Sequence, residues 1–234
     1  MSTLAQFRTA VSQKLGLDNT AGSTEQLAID SWVNEAVLDI LMETQVYIVE
    51  STATLTDGQG DYVMDANILI IKDVSVTSVG QSYVFDHVSP DEIIQRRVST
   101  NIAGGPTRKY ALNGADVLML WPAPSTGDSL TFYYVPRPTA LVNATDDPSA
   151  AALGGIPSEW HKAIQWYALW QGGDYMDDDS SQQGERYHTY YEAWLKRIKK
   201  ERSYKGGRRL GAITPGRRKR PFVPHNPSTD TGYY

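Results

Sequence analysis

The sequence contains no cysteine. Disulfide staples, thiolate nucleophiles and cysteine-ligated metals are thereby excluded. Histidine is scarce as well, standing only at positions 87, 161, 188 and 225. None of the four falls in an H-x-x-x-H or H-E-x-x-H arrangement, so no pair has the spacing that would put two metal ligands on one helical face. No apolar run approaches the roughly 20 residues that span a bilayer, and the opening MSTLAQFRTAV lacks the charged-then-apolar pattern of a secretory leader. The expectation is a soluble chain, made and used inside a cell, with no membrane partner. G-x-S-x-G, P-loop and G-x-G-x-x-G patterns are missing too. The acidic DYMDDDSSQQ lacks the alternating ligands and central glycine of a calcium loop and reads as a solvated turn. No catalytic, cofactor or metal site is expected, and no enzymatic activity.

What is abundant is charge, unequally divided. Met1 to Leu195 carries 10 Lys and Arg against 25 Asp and Glu; Lys196 to Arg220 carries 12 against a single Glu. The overall net charge of −5 conceals an acidic body followed by a basic tail. Asymmetry of this kind points to a charged partner for one of the two parts.

The hydrophobic pattern changes period twice. Leu4, Phe7, Val11 and Leu15 recur at helical spacing, with Ser2 or Thr3 as cap and Gly16 as stop. Ser23 opens a second helix with Gln26 as its capping-box partner, and its stripe is Ile29, Trp32, Val33, Ala36, Val37, Ile40 and Leu41. From Tyr47 the period becomes two. YIVESTATLT, GDYVM, ILIIKDVSVTSV, QSYVFDHV, RKYALNG, DVLMLWPAP and SLTFYYVPRP predict six or seven mainly antiparallel strands. TDGQGDY is expected to turn a hairpin between the first two, and Asn113-Gly114 a tight turn between a later pair. A short helix is predicted at SPDEIIQRRV, capped by Ser89 with Pro90 at its first position.

Helical spacing returns at IPSEWHKAIQWYALWQ, with Trp160, Ala163, Ile164, Tyr167 and Ala168 on one face and an expected break at Gly172-Gly173. A last helix follows from about residue 182 to 202, its aromatic side being Tyr187, Tyr190, Tyr191, Trp194, Leu195 and Ile198. An amphipathic face needs a partner, and neither helical pair can fold alone. The fold class is therefore α+β: N-terminal helices (1–45) and C-terminal helices (141–203) complete one bundle, a β module (46–140) is inserted between them, and an extended basic arm (204–234) ends the chain.

Two features call for partners. Most aromatics of the C-terminal helices suit packing inside the bundle. Trp166 and Trp170 leave the Trp160–Ile164–Tyr167 stripe, however, and are candidates for a contact between subunits; a stacking platform for single-stranded nucleic acid is a weaker possibility, because few basic residues interleave. The arm admits three readings: an inert solvated charge run, a nucleic-acid or localisation segment built on GRRKRP, or a docking arm. The third is favoured, because Arg208, Arg209, Arg217, Arg218, Lys219 and Arg220 alternate with Leu210, Ile213 and Phe222 and with prolines. Arginine forks suit carboxylates and apolar side chains suit pockets along another protein.

The order of elements, with TDGQGDYVM, FYYVPRPTAL, IPSEWHKAIQWYALWQGGDY and ERYHTYYEAWLKRIKK, resembles the head-to-tail adaptor (connector) proteins of tailed bacteriophages, and in layout the tail tubular A proteins of short-tailed phages. Ile156, Pro157, Trp160, Ala163, Ile164, Tyr167, Ala168 and Leu169 carry the first helical phrase of the resemblance; Tyr187, Tyr191, Trp194 and Leu195 carry the second. The resemblance implies a structural virion protein at the neck between capsid and tail, made in the host cytoplasm. It implies a homo-oligomeric ring, typically of twelve copies, docked on the portal protein by its C-terminal arms and offering a surface to the tail or next connector. DNA would pass through the lumen without sequence-specific binding. The competing reading is a nucleic-acid-binding protein that grips with its basic tail; a hydrolase housed in the β module would need a cleft that the sequence does not reveal.

Overall fold

The computed structural model describes residues 2–78, 81–99, 108–114, 116–124, 128–176 and 181–207. Helix α1 (Leu4–Leu15) starts at Thr3, whose backbone N–H donates to Gln6 Oε1 at 3.2 Å, and stops at Gly16, φ 70°. Helix α2 (Thr24–Thr44) starts at Ser23, whose hydroxyl accepts from the Gln26 N–H at 3.1 Å. Gln26 Oε1 takes the N–H of Gly22 rather than that of Ser23, at 2.7 Å, so the box closes one residue early. The seven residues of the predicted α2 stripe are all buried.

The β module contains strands β1 (Val49–Thr54), β2 (Asp61–Val63), β3 (Ile68–Ser78), β4 (Gln81–Val84) and β5 (Asp86–His87). Helix α3 (Pro90–Ser99) follows, capped by Ser89, and then β6 (Lys109–Asn113), β7 (Val117–Trp121) and β8 (Ser129–Pro136). Two four-stranded sheets result, ordered β1-β8-β3-β4 and β2-β7-β6-β5. All pairs are antiparallel except β5 with β6.

The expected hairpin at TDGQGDY is not formed: β1 and β2 belong to different sheets. The physical reason is that each sheet turns an apolar face toward the other, and those faces cover each other, while the second sheet's far side packs on Ile93 of α3. Val74, Val76, Leu130 and Phe132 from one meet Tyr110, Leu118 and Leu120 from the other in a single cluster with Leu55 and Phe85. The chain must therefore cross from one layer to the next after β1 rather than fold back beside it. The Asn113-Gly114 turn does join a hairpin, with Asn113 opposite Val117 and Gly114 at φ 70°.

Beyond β8 a 3-10 turn (Ser158–Trp160) leads into α4 (His161–Tyr175), and α5 (Ser181–Gly207) follows. One core unites the two ends of the chain: Leu4, Phe7 and Val11 of α1, the α2 stripe, Ala163, Ile164, Ala168 and Leu169 of α4, and Tyr191 and Ile198 of α5. Val135 of β8 and Leu141 enter the same cluster, with Leu69 and Ile70 packed against it, so the first sheet is seated on the bundle. The fold class is α+β, as the change of period predicts.

Gly172 and Gly173 do not break α4, which runs on to Tyr175. Both are buried, and their lack of a side chain is what α4 uses. A Cβ on Gly172 would lie 2.3 Å from Leu15 Cδ1 and 2.8 Å from Trp32 Cζ3; one on Gly173 would lie 3.1 Å from the Gly184 Cα. Close approach to α1, α2 and α5 outweighs the roughly 1 kcal/mol helix penalty of glycine. Gly172→Val should accordingly destabilise the fold by about 1–3 kcal/mol through overpacking, measured by urea unfolding. An unchanged or raised midpoint would contradict this packing.

His161 anchors the start of the chain. Its Nδ1 accepts the Ser2 N–H at 3.1 Å while Nε2 donates to the Ile156 carbonyl at 3.0 Å, which fixes a neutral tautomer. Burial pushes the imidazole below its ordinary value of 6.5, against the opposing pull of the Ile156 carbonyl and of Asp147 at 3.7 Å. Below that value the unfolded chain binds a proton the folded chain resists, so this contribution to stability is complete above about pH 6.5 and declines as pH falls beneath it. His161→Gln should flatten the stability profile between about pH 6.5 and 5, above the carboxylate range. A slope identical to that of the unsubstituted protein would show that His161 does not titrate with unfolding.

Candidate assembly surfaces

Helix α5 is about 40 Å long for its 27 residues. Three contacts fasten its middle, from Tyr191 to Arg202, to the C-terminal half of α2. Tyr191 OH donates to Asp39, Lys199 pairs with Glu43 at 2.6 Å, and the Arg202 guanidinium donates to the Thr44 carbonyl. Arg202 thus satisfies a carbonyl that the end of α2 leaves open, where a cation is favoured by the helix dipole. Burial, reinforced by the Asp39 carboxylate, drives the Tyr191 phenol far above its usual range, so it remains a donor. Arg197 pairs with Glu201 at 2.8 Å, and Glu201 also accepts from the Trp160 indole at 3.3 Å. The chain is thereby led to Gly207 on a fixed line. Arg208, Arg209, Leu210, Ile213, Arg217, Arg218, Lys219, Arg220 and Phe222 lie outside the described residues.

Trp166 and Trp170 stand on the side of α4 that meets α5. Trp166 stacks on Tyr187 at 5.7 Å between centroids and lies 4.9 Å from Tyr190. Trp170 lies 4.3 Å from the His188 ring and edges against Tyr167 at 5.4 Å. Both indoles are half-buried, so part of each ring is occupied within the chain and part is open. Two lysines that the sequence does not single out join them: Lys14 Nζ is 4.7 Å and Lys162 Nζ 5.0 Å from the Trp166 centroid. The spacing of Lys162 and Trp166, one helical turn apart, was the readable signal; Lys14 arrives from another helix and left none.

The outer face of the first sheet has a regular chemistry. Strand register aligns Thr54, Ser129, Thr77 and Ser82 in one row, Thr52, Thr131, Ser75 and Val84 in the next, and Glu50, Tyr133 and Asp73 in a third. No lysine or arginine stands in these rows. Hydroxyls fill them because β-branched threonine suits a pleated, half-exposed surface. On the second sheet, α3 is clamped by ion pairs. Glu92 meets Arg96 at 2.9 Å and Lys109 at 2.5 Å, while Arg97 binds Asp61 at 2.8 Å and the carbonyls of Gly60 and Leu120. Lys109, and then Arg96, hold the Glu92 carboxyl below the usual range.

Two small concave features lie among the described residues. A groove of about 250 Å³ between α2 and residues 137–140 is lined by Ser31, Asn34, Glu35, Val37, Leu38 and the backbone that follows β8. A second, of about 270 Å³, lies among Met64, Ile68, Ile70, His87 and Tyr110. Among the described residues no group of three histidines or carboxylates is gathered that could hold a metal ion, and no helix is long and apolar enough to cross a membrane.

A family model described as SU10 adaptor protein matches residues 2–218, and the chain belongs to that family. The resemblance to phage adaptor proteins drawn from the order of its elements is thereby borne out. Among solved structures, a chain in the neck of an empty GTA particle computed with C6 symmetry matches 71% of this chain and 74% of its own length. The identity is 14% and the TM-score 0.25. No curated protein matches.

The Tyr191–Asp39 bond is the buried link between α5 and α2, and it can be tested directly. Tyr191→Phe should cost about 1–3 kcal/mol, the range for a hydrogen bond to a charged group, read as a lowered urea midpoint. No loss of stability would show that α5 is held by its apolar contacts alone.

Proposed function

We propose that this adaptor is a structural virion protein that joins head to tail. Copies form a ring beneath the portal and carry out no enzymatic chemistry; the arm of each copy docks on the portal protein, and the ring presents the tail or next connector with its attachment surface. The observation that carries this reading is the division of charge along the chain, 10 cations against 25 carboxylates through Leu195 and then 12 against one up to Arg220. Membership of an adaptor family supports it. A helical bundle (1–45 and 141–203) would serve as the frame, with the inserted β module (46–140) and the arm (204–234) as separate working parts. Twelve copies, a location in the virion neck and synthesis in the host cytoplasm follow the resemblance, and Trp166 and Trp170 are placed at or beside the contact between subunits.

Electrostatics suits each part to its task. Duplex DNA carries one negative charge per ~1.7 Å of its axis and is gripped by lysine and arginine. A ring through which it slides is served by acidic and hydroxyl-lined surfaces such as the outer rows of the first sheet. A cationic, proline-punctuated arm is complementary to an acidic groove on a neighbouring protein. Ordering such a segment has an entropic cost that only a cognate surface offsets.

Deletion of residues 204–234 should leave a body with unchanged circular dichroism and cooperative unfolding, yet abolish retention on portal rings in a pull-down. Retention of the truncated chain would sink the arm assignment. Binding of the full chain to free duplex DNA should be weak at physiological salt. Tight binding that falls steeply with added salt would favour the nucleic-acid-gripping alternative.

A further inference from the structure

The bodies that a ring must bring side by side are strongly acidic, so contact between two of them is repulsive unless cations stand at the seam. Several described cations are already neutralised within the chain. Arg8 pairs with Asp30, Arg96 and Lys109 with Glu92, Arg97 with Asp61, Lys196 with Glu192, Arg197 with Glu201 and Lys199 with Glu43. Lys14 and Lys162 differ. Both are exposed, both come within 5.0 Å of the Trp166 ring centre, and no described carboxylate reaches either of them. Arg137, Arg186 and Lys200 also lack a described carboxylate, but no ring adjoins them; Lys72, which donates to Gln45, and Arg108, which lies over the Tyr83 ring at 4.3 Å, lack one too, but neither shares a ring with a second described cation.

Two ammonium groups from different helices converging on one indole repel each other. Burial, and then the nearness of Lys14, lowers the affinity of Lys162 for its proton. Attraction to the faces of Trp166 and Tyr187 offsets part of that repulsion. Beside the pair, Tyr190 is 50% exposed and only 4.9 Å from Trp166. Lys162 also donates to the Gln165 amide oxygen at 2.5 Å, but neither lysine meets a described carboxylate; cations of this kind around a half-buried tryptophan, rimmed by tyrosine, have the composition of an interface centre awaiting carboxylates.

We infer that Lys14, Lys162, Trp166 and Tyr190 form a docking surface for the acidic body of a second copy of this chain. The contact is heterologous: cations and rings on one copy, carboxylates on the next. A patch and its complement at different places on one molecule generate a closed ring rather than a simple pair when the rotation closes. This rests on the ring reading above and adds to it the face and the partner chemistry.

The test uses full-length chain as an equal mixture of unlabelled and nitrogen-15-labelled protein, treated with a carbodiimide, which joins an amine to a touching carboxylate. Mass spectrometry should find mixed-label links from Lys14 or Lys162 to Asp or Glu of the body. Links at these lysines confined to one copy (to Asp177, Asp178 or Asp179 included) would overturn the inference, as would the absence of any link at them. The double variant Lys14→Glu/Lys162→Glu should weaken self-association about tenfold or more in sedimentation, with unchanged unfolding, while Lys14→Arg/Lys162→Arg retains it. Duplex-DNA binding lost in the charge-reversed chain with self-association intact would assign the patch to phosphate and also overturn the inference. Rings that assemble normally on portal from the charge-reversed chain would refute this surface yet leave the ring standing. Failure of the unsubstituted chain to form rings with portal would refute the ring itself.

Discussion

The fit of α4 against three other helices is the constraint on which the rest of the molecule depends. Ala163, Ala168, Gly172 and Gly173 give α4 faces with little or no side chain, so α1, α2 and α5 can approach it closely. The two ends of the chain meet chiefly through that contact, with the polar links between α5 and α2 beside it. Without it the first sheet would lose the core that receives Val135, Leu69 and Ile70, and α5 would have no platform from which to direct the arm. The glycines that look like a stop in the sequence are what lets the structure close.

The charge pattern acts at a second level. Ion pairs within the body do structural work: Glu92 draws α3 to β6, Glu43 draws α5 to α2, and Arg8 ties α1 to Asp30 of α2. Individually such part-exposed pairs contribute little, about 0–1 kcal/mol. Their larger consequence is to consume several of the few cations the body has, which leaves its surface negative and the basic tail electrically distinct. The two lysines that converge on Trp166 are not consumed in this way, and their position beside a half-buried indole and the exposed Tyr190 is why they read as a contact rather than as decoration.

Much of this was legible in the sequence, and the rest was not for identifiable reasons. Periodicity located every helix, since the stripes from Ile29 to Leu41 and from Trp160 to Ala168 are long and uninterrupted. It located the strands too, but partnering is decided by which faces need covering. A turn-rich TDGQGDY is equally suited to a hairpin and to a crossing between layers. Gly172-Gly173 was misread because helix propensity is a weak prior that tertiary contact overrides. Of the candidate surface residues, Trp166 and Trp170 announced themselves by leaving the core stripe. Lys14 could not, because its partner ring is 152 positions away in the chain and only packing brings them together.

The division between a negative body and a positive arm is tested most directly by electron microscopy of this protein assembled on portal rings, at side-chain detail. Density for residues 208–234 lying along the portal surface, with the body's hydroxyl and carboxylate rows turned toward the channel, is the predicted result. Density for that segment wrapped on nucleic acid, or free of the portal in an assembled neck, would contradict it.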